Sequence, residues 1–231
     1  MSLHRRLLRT AAGSAAAALL LAACSGGAQS DDGRGFRFLA LGDSYTIGEG
    51  VAAAERWPEQ LVSRLAAEGL AVDLEVVART GWTTAELDEG IDAAVPVGPY
   101  DLVTVLIGVN DQFRGGYPDE YRVELAALLT RAVGYAGGEP GRVIVVSIPD
   151  WGVTPFAAAR GEIYVSGLID AFNGVAREEA GRAGAAWVDV TSISRVPDPA
   201  LLTADGLHPS GAQCERWVAE ILPTARGILD G

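Results

Sequence analysis

Leu39-Ala40-Leu41-Gly42-Asp43-Ser44-Tyr45-Thr46 is the stretch on which the fold turns. An apolar run from Phe36 to Leu41 halts at a glycine, an acid and a serine, before Gly48 and Gly50 loosen the chain. A buried strand that stops at Gly-Asp-Ser delivers a hydroxyl to its carboxyl end. In open α/β sheets that edge carries ligands and catalytic groups. A serine placed there reads as a nucleophile, provided a base is at hand to remove its proton. Gly, Asp and Ser are also ordinary turn residues, so residues elsewhere decide between a catalytic turn and a plain one.

Working outward, apolar runs alternate with helical patterns. After the first strand, Trp57-Pro58-Glu59-Gln60 opens a helix, with Pro58 suited to the first helical turn. Leu61, Val62, Leu65 and Ala66 share one helical face, and Gly69 can end it. Val72 to Val77 is a second strand, broken by Arg79-Thr80-Gly81-Trp82. Thr83 or Thr84 can cap the helix that runs on to Ala94. Asp101 to Ile107 and Arg142 to Ile148 are continuous apolar runs, as expected of strands covered on both faces. Tyr121 to Tyr135 and Ile163 to Ala183 have helical patterns. Ala186 to Val190 is a last strand, and Pro209 to Leu222 a closing helix interrupted by Pro223. Strands alternating with helices predict a parallel sheet of about five strands with right-handed crossovers, in one domain over residues 36–231.

Several strands end in a polar or glycine-rich turn, at Ser44, Gly81, Asn110 and Asp150. In a parallel sheet those ends share one edge, so residues far apart in sequence converge. The chain has two histidines, His4 in the leader and His208 in Ala204-Asp205-Gly206-Leu207-His208-Pro209. An acid three residues before a histidine, in a tight turn, can reach the Nδ1 hydrogen, fix the tautomer and stabilise the imidazolium. A lone histidine is more often structural, but Asp205 and the Gly-Asp-Ser turn favour His208 as a base.

These blocks resemble the SGNH hydrolases, also called GDSL esterases and lipases. Gly42-Asp43-Ser44-Tyr45-Thr46 is similar to the family's first block, with Tyr45 where many members have leucine. Gly81 matches the second block, Gly108-Val109-Asn110-Asp111 the third and Asp205-Gly206-Leu207-His208-Pro209 the last. The resemblance implies a three-layer α/β/α domain of SGNH/flavodoxin-like type and a serine esterase without cofactor or metal. It implies that Ser44 is the nucleophile, His208 the general base and Asp205 its orienting acid. The oxyanion hole it implies is built from the N–H groups of Ser44 and Gly81 and the Asn110 side-chain amide. Preorganised donors of that kind are each worth roughly 10²–10³ in rate. Asp43 and Asp111 are read as turn-stabilising. Trp82, Trp151 and Phe156 are candidate substrate-pocket residues or core residues. The segment from Pro149 to Gly161 is expected to be the longest loop near the active edge and, with no long apolar insertion to form a lid, to suit short acyl groups. Lysophospholipase, thioesterase and carbohydrate O-acetyl esterase activities stay open, as does a surface lipoprotein that binds ligand without turnover.

The first residues make up a leader. His4-Arg5-Arg6-Leu7-Leu8-Arg9 is basic, and the apolar run from Ala11 to Ala23 is shorter than the roughly 20 residues of a membrane span. It ends in Leu21-Ala22-Ala23-Cys24, similar to a bacterial lipoprotein box. That resemblance implies a signal peptide over 1–23 and a lipid on Cys24 holding the protein at a membrane of the cell envelope. An ordinary cleavage site with an incidental cysteine is the alternative. Residues 24–35 are small and polar, the composition of a tether. The chain has 231 residues, a formal net charge of −12 and no lysine. Its acids all follow the leader, a balance that argues against nucleic acid as a partner and against electrostatic binding to anionic lipid. A small-molecule ester or lipid as substrate is what the family resemblance implies. Cys214, in the closing helix, is expected as a buried free thiol.

Overall fold

The computed structural model describes residues 35–160 and 164–231. The leader, Cys24 and the tether up to Arg34 therefore lie outside the described residues. Among those described, no helix is long and apolar enough to cross a membrane.

Five parallel strands form one sheet in the order β2-β1-β3-β4-β5. They are β1 (Phe36–Gly42), β2 (Val72–Ala78), β3 (Leu102–Leu106), β4 (Val143–Val146) and β5 (Ala186–Val188). β1 runs in register with β2 from Phe36 opposite Val72 to Gly42 opposite Ala78, and with β3 from Phe38 opposite Leu102. β3 and β4 are buried along their whole length, whereas β2 at the edge is mostly half-covered. The continuous apolar runs of the central strands follow from helices on both faces; the acids alternating along β2 follow from its position at the edge.

In chain order the helices are α1 (Ser44–Ile47), α2 (Trp57–Ala67), α3 (Thr84–Ala94), α4 (Val109–Phe113), α5 (Pro118–Tyr135), α6 (Pro155–Arg160), α7 (Val165–Ala183), α8 (Thr191–Ser194) and α9 (Gly211–Leu229). α2 packs on α9 in one layer, and α3, α5 and α7 pack together in the other. Between them lies a core that includes Phe38, Leu39, Leu41, Trp57, Leu61, Leu65, Phe172 and Trp217, all fully buried. Each such side chain contributes roughly 1.5–3 kcal/mol of burial. α3 begins at a capping box: the Thr83 side chain accepts from the Glu86 N–H, and the Thr83 N–H donates back to Glu86.

Three expectations change. The closing helix starts at Gly211, two residues after Pro209, and runs unbroken through Pro223 to Leu229. Its apolar face, Trp217, Val218, Ile221, Leu222, Ala225 and Leu229, is buried on both sides of the proline, while Pro223 itself faces solvent. Burial of that stripe outweighs the hydrogen bond that proline removes. The segment after β4 is not an open loop. Trp151–Val153 forms a 3₁₀ turn and Pro155–Arg160 is α6. α5 starts at Pro118, three residues before Tyr121: the Glu120 carboxylate accepts from the Tyr117 N–H at 3.4 Å, and Pro118 suits the first turn.

Candidate active site

The order 2-1-3-4-5 reverses direction between β1 and β3, and open parallel sheets bind ligands outside the strand ends at such a point. The β1 turn carries Ser44 and the β3 turn carries Asn110. Gly42 is needed for close approach: a Cβ there would lie 2.6 Å from the Leu106 carbonyl oxygen and 2.2 Å from Thr46 Oγ1. That contact lets β1 and β3 end side by side, so their two turns meet.

Ser44 opens α1, immediately after Asp43, whose Oδ1 accepts from the Tyr45 N–H at 3.0 Å. Asp43 is the helix cap, the turn-stabilising role expected of it, but it is also fully buried, and its Oδ2 has no hydrogen-bond partner in the protein. Burial pushes its carboxyl up to about 8, the Tyr45 N–H opposing and the nearby Asp111 charge adding. Burial likewise raises Asp111, although Thr84 donates its N–H and hydroxyl to that carboxylate at 3.0 to 3.2 Å. Asp111 thereby ties the β3 turn to the first residue of α3.

His208 sits on the turn before α9. A bridge between Leu202 and Pro209 closes the turn, and the Thr203 N–H donates to the His208 carbonyl at 2.8 Å. Inside it Asp205 is saturated. Its Oδ1 accepts from Leu207 N–H, His208 N–H and Thr203 Oγ1 at 2.8, 3.0 and 2.7 Å, and its Oδ2 lies 2.6 Å from His208 Nδ1. Burial works against the charged form of Asp205, but His208, Thr203 and the two amides outweigh it and hold the carboxyl well below the usual range. The other face of the imidazole is backed by Tyr45, edge-on at 5.8 Å between ring centroids, which in turn packs on Trp217. The residue that departs from the family's usual leucine is therefore part of the wall that holds the histidine.

A cleft of about 260 Å³ brings these parts together, lined by Ser44, Gly81, Asn110, Trp151, Phe156 and His208 among others. Asn110 donates one amide N–H to the Trp82 carbonyl at 2.9 Å. An amide nitrogen carries two N–H groups, which leaves one for the cleft. Gly81 has φ +85, a left-handed conformation that favours glycine. Trp151 is both core and wall: it is buried, its indole N–H donates to Gln112 Oε1 at 2.8 Å, and it borders the cleft. Phe156, on α6, stands 6.0 Å from Trp151 between ring centroids.

Two expected members fall elsewhere. Trp82 is not among the residues lining the cleft. Its ring lies over Gly90 of α3, where a Cβ would come within 2.2 Å, so it is a packing residue that needs that glycine. Asp150, at the end of the β4 segment, is also outside the cleft. Its carboxylate caps the 3₁₀ turn through the Gly152 N–H and pairs with Arg195 Nε at 2.8 Å, which holds Trp151 in place. Residues missed at first are Phe113, Leu207 and Val109, which line the cleft. Phe113 lies three residues beyond Asn110 on the same short helix, 5.3 Å from Trp151 and 6.4 Å from Phe156 between centroids. That spacing was its only signal. Cys214 is a buried free thiol, and burial pushes its pKa up to about 12.

The fold and its relatives define an ester hydrolase of the GDSL type. The chain belongs to the GDSL-like lipase/acylhydrolase family, whose model matches residues 40–215. It is 24% identical to esterase TesA of Pseudomonas aeruginosa over 194 residues, covering 83% of this chain and 88% of that protein. Among solved structures, it is similar to a lipase/acylhydrolase from Enterococcus faecalis, with a TM-score of 0.68, 24% identity and coverage of 83% and 96% of the two chains. The esterase EstA from Pseudoalteromonas sp. is similar at a TM-score of 0.67 and 18% identity, with coverage of 84% and 99%.

Proposed function

We propose that this esterase is a Ser-His-Asp carboxylesterase acting on short-acyl esters. The observation that carries the proposal is the 2.6 Å contact between His208 Nδ1 and Asp205 Oδ2 on a ring that shares a cleft with Ser44. With Nδ1–H committed to Asp205, Nε2 is the free basic nitrogen. It takes the Ser44 Oγ proton as Oγ attacks the ester carbonyl carbon. The carbonyl oxygen becomes an oxyanion, received by the N–H groups of Ser44 and Gly81 and the second Asn110 N–H. The intermediate collapses, the carbon–alkoxide bond breaks, and the imidazolium returns its proton to the departing alcohol. Water, deprotonated by the same Nε2, then attacks the acyl-serine and frees the acid and Ser44.

Acyl length is argued from the walls. Phe113, Trp151, Phe156 and Leu207 give an apolar lining, and α6 rather than a long flexible loop carries Phe156. Each methylene buried there adds about 0.8 kcal/mol until the space is filled. The measurement is kcat/KM for p-nitrophenyl esters from about C2 to C16. Preference is expected to peak between acetyl and roughly hexanoyl and then fall; a maximum at about C12 or longer overturns the short-acyl assignment.

The protein is further proposed to be exported and lipid-anchored through Cys24. The basis is the leader, with its basic start, its short apolar run and Leu21-Ala22-Ala23-Cys24.

A further inference from the structure

Outside the residues that face substrate, one arrangement converges on the oxyanion site from two sides. The Gly81 donor lies in a four-residue turn, Arg79 to Trp82, closed by the Trp82 N–H donating to the Arg79 carbonyl at 3.2 Å. Gly81 has φ +85 and Thr80 is not among the residues of positive φ, which makes the turn type II. The Gly81 N–H belongs to the Thr80–Gly81 peptide and the Gly81 carbonyl to the next one. Glycine has the widest backbone freedom of any residue, so nothing in the local sequence fixes the position of this donor.

Tertiary contacts do so instead. Arg114 Nη2 donates to the Gly81 carbonyl at 2.5 Å, and Arg114 Nη1 donates to Glu86 Oε1 at 3.0 Å. Asn110 Nδ2 holds the next carbonyl, that of Trp82. Asp111 holds the Thr84 N–H. On the other flank Thr80 Oγ1 donates to Glu49 Oε2 at 2.5 Å, from the loop that follows Ser44. A planar guanidinium with a fixed fork of donors suits the first of these tasks, because it bridges two acceptors without rotating. The hydrogen bond from Arg114 draws Glu86 below the usual carboxylate range, so that carboxylate is ionised at neutral pH.

We infer that Arg114 is a positioning residue: anchored on Glu86, it clamps the Gly81 carbonyl and so fixes the place of Gly81, whose N–H on the preceding peptide serves the oxyanion. The inference rests on the serine-esterase assignment given above. Arg114 does not touch the reacting atoms, and its effect passes through Gly81.

The test compares Arg114→Ala, Arg114→Lys and Glu86→Gln with the wild type and with Ser44→Ala on p-nitrophenyl acetate. For Arg114→Ala, kcat is expected to fall about 10- to 100-fold, somewhat less than the loss of a whole oxyanion donor. KM should stay within about twofold, because the ground-state carbonyl does not need the donor. The inhibition constant of a short alkyl boronic acid, whose serine adduct places an oxygen in the same hole, should rise by a similar factor. A fall in the folded fraction also lowers apparent kcat at constant KM, but it leaves the boronate inhibition constant unchanged, so that constant separates positioning from lost stability. Lysine keeps the charge but not the fork, so Arg114→Lys is expected to recover only a minor part of the rate; full recovery means charge alone acts and overturns positioning. Glu86→Gln retains the α3 cap and leaves Arg114 in place, so it carries the test should Arg114→Ala fail to fold; a fall in kcat at constant KM is expected there as well. Unchanged kcat in both variants, with Ser44→Ala inactive, overturns the inference. Turnover by Ser44→Ala overturns the serine mechanism instead.

Discussion

Asp43 is the residue whose environment is hardest to reconcile with an ordinary acid. It sits beside the nucleophile, fully buried, with one oxygen on the Tyr45 N–H and the other unpartnered. Unfolded, its ordinary value is 3.8; in the fold burial lifts it to about 8. Between those values the folded protein holds a proton that the unfolded chain has released. The stability this site contributes is therefore complete below about pH 4 and is lost as pH rises toward about 8, at no more than about 1.4 kcal/mol per pH unit. Asp43→Asn keeps an acceptor for Tyr45 and removes the titration. Urea unfolding of both proteins at intervals from about pH 5 to 8 should show the wild type losing ground to the variant as pH rises. Parallel curves would mean that Asp43 is ionised in the fold. Asp205 is the opposite case, an acid surrounded by donors and kept charged, and the contrast separates a carboxyl that shapes a turn from one that orients a histidine.

At the scale of elements, the ends of β1, β3 and β4 were legible because their apolar runs stop at glycine or proline within a residue or two, and a parallel sheet places such stops on one edge. The Asp205–His208 pair was legible because its partners are three residues apart. The Arg114–Gly81 contact spans 33 residues and depends on α4 docking beside the β2 turn, which no local pattern encodes. The two readings of Trp82, pocket or core, could not be separated for the same reason: only the packed α3 shows that its ring lies over Gly90. The Pro149–Gly161 stretch looked like a loop because its Gly and two prolines mask a 3₁₀ turn and a short helix. α9 adds a prediction. Pro223 removes the hydrogen bond to the carbonyl of Ala219, an exposed residue, while the buried stripe continues past it. Pro223→Ala should raise stability by about 1 kcal/mol, the regained helix bond being partly offset by a freer unfolded chain. A denaturation midpoint that stays put or drops in that variant would show that the proline fits the helix without cost.

For the molecule as a whole, the two ends of the sheet face different tasks. The cleft lies at the carboxyl ends of β1 and β3, while the described chain enters at the opposite edge, where the Phe36 N–H donates to the Ala71 carbonyl at 2.8 Å. If Cys24 carries the proposed lipid, Ser25 to Gly35 reaches at most about 36–40 Å from the bilayer. A domain of this size is about 40 Å across, so a tether running round its side to let the cleft face lipid needs roughly 60 Å. The anchored protein is thus expected to hydrolyse a water-soluble ester as fast as a Cys24→Ser variant does. It should gain nothing on an ester embedded in the same vesicle unless about 30 Gly/Ser residues are inserted into the tether. Faster attack on the embedded ester at native tether length would contradict that orientation. The central claim, that the fold assembles Ser44 into a nucleophile, is tested most directly by intact-mass spectrometry after treatment with a fluorophosphonate. The account predicts one phosphonyl group per folded molecule, located on Ser44 by peptide mapping, with esterase activity lost in proportion and no labelling of urea-unfolded chain. Labelling at another residue, or full activity retained by a Ser44-labelled protein, would contradict it.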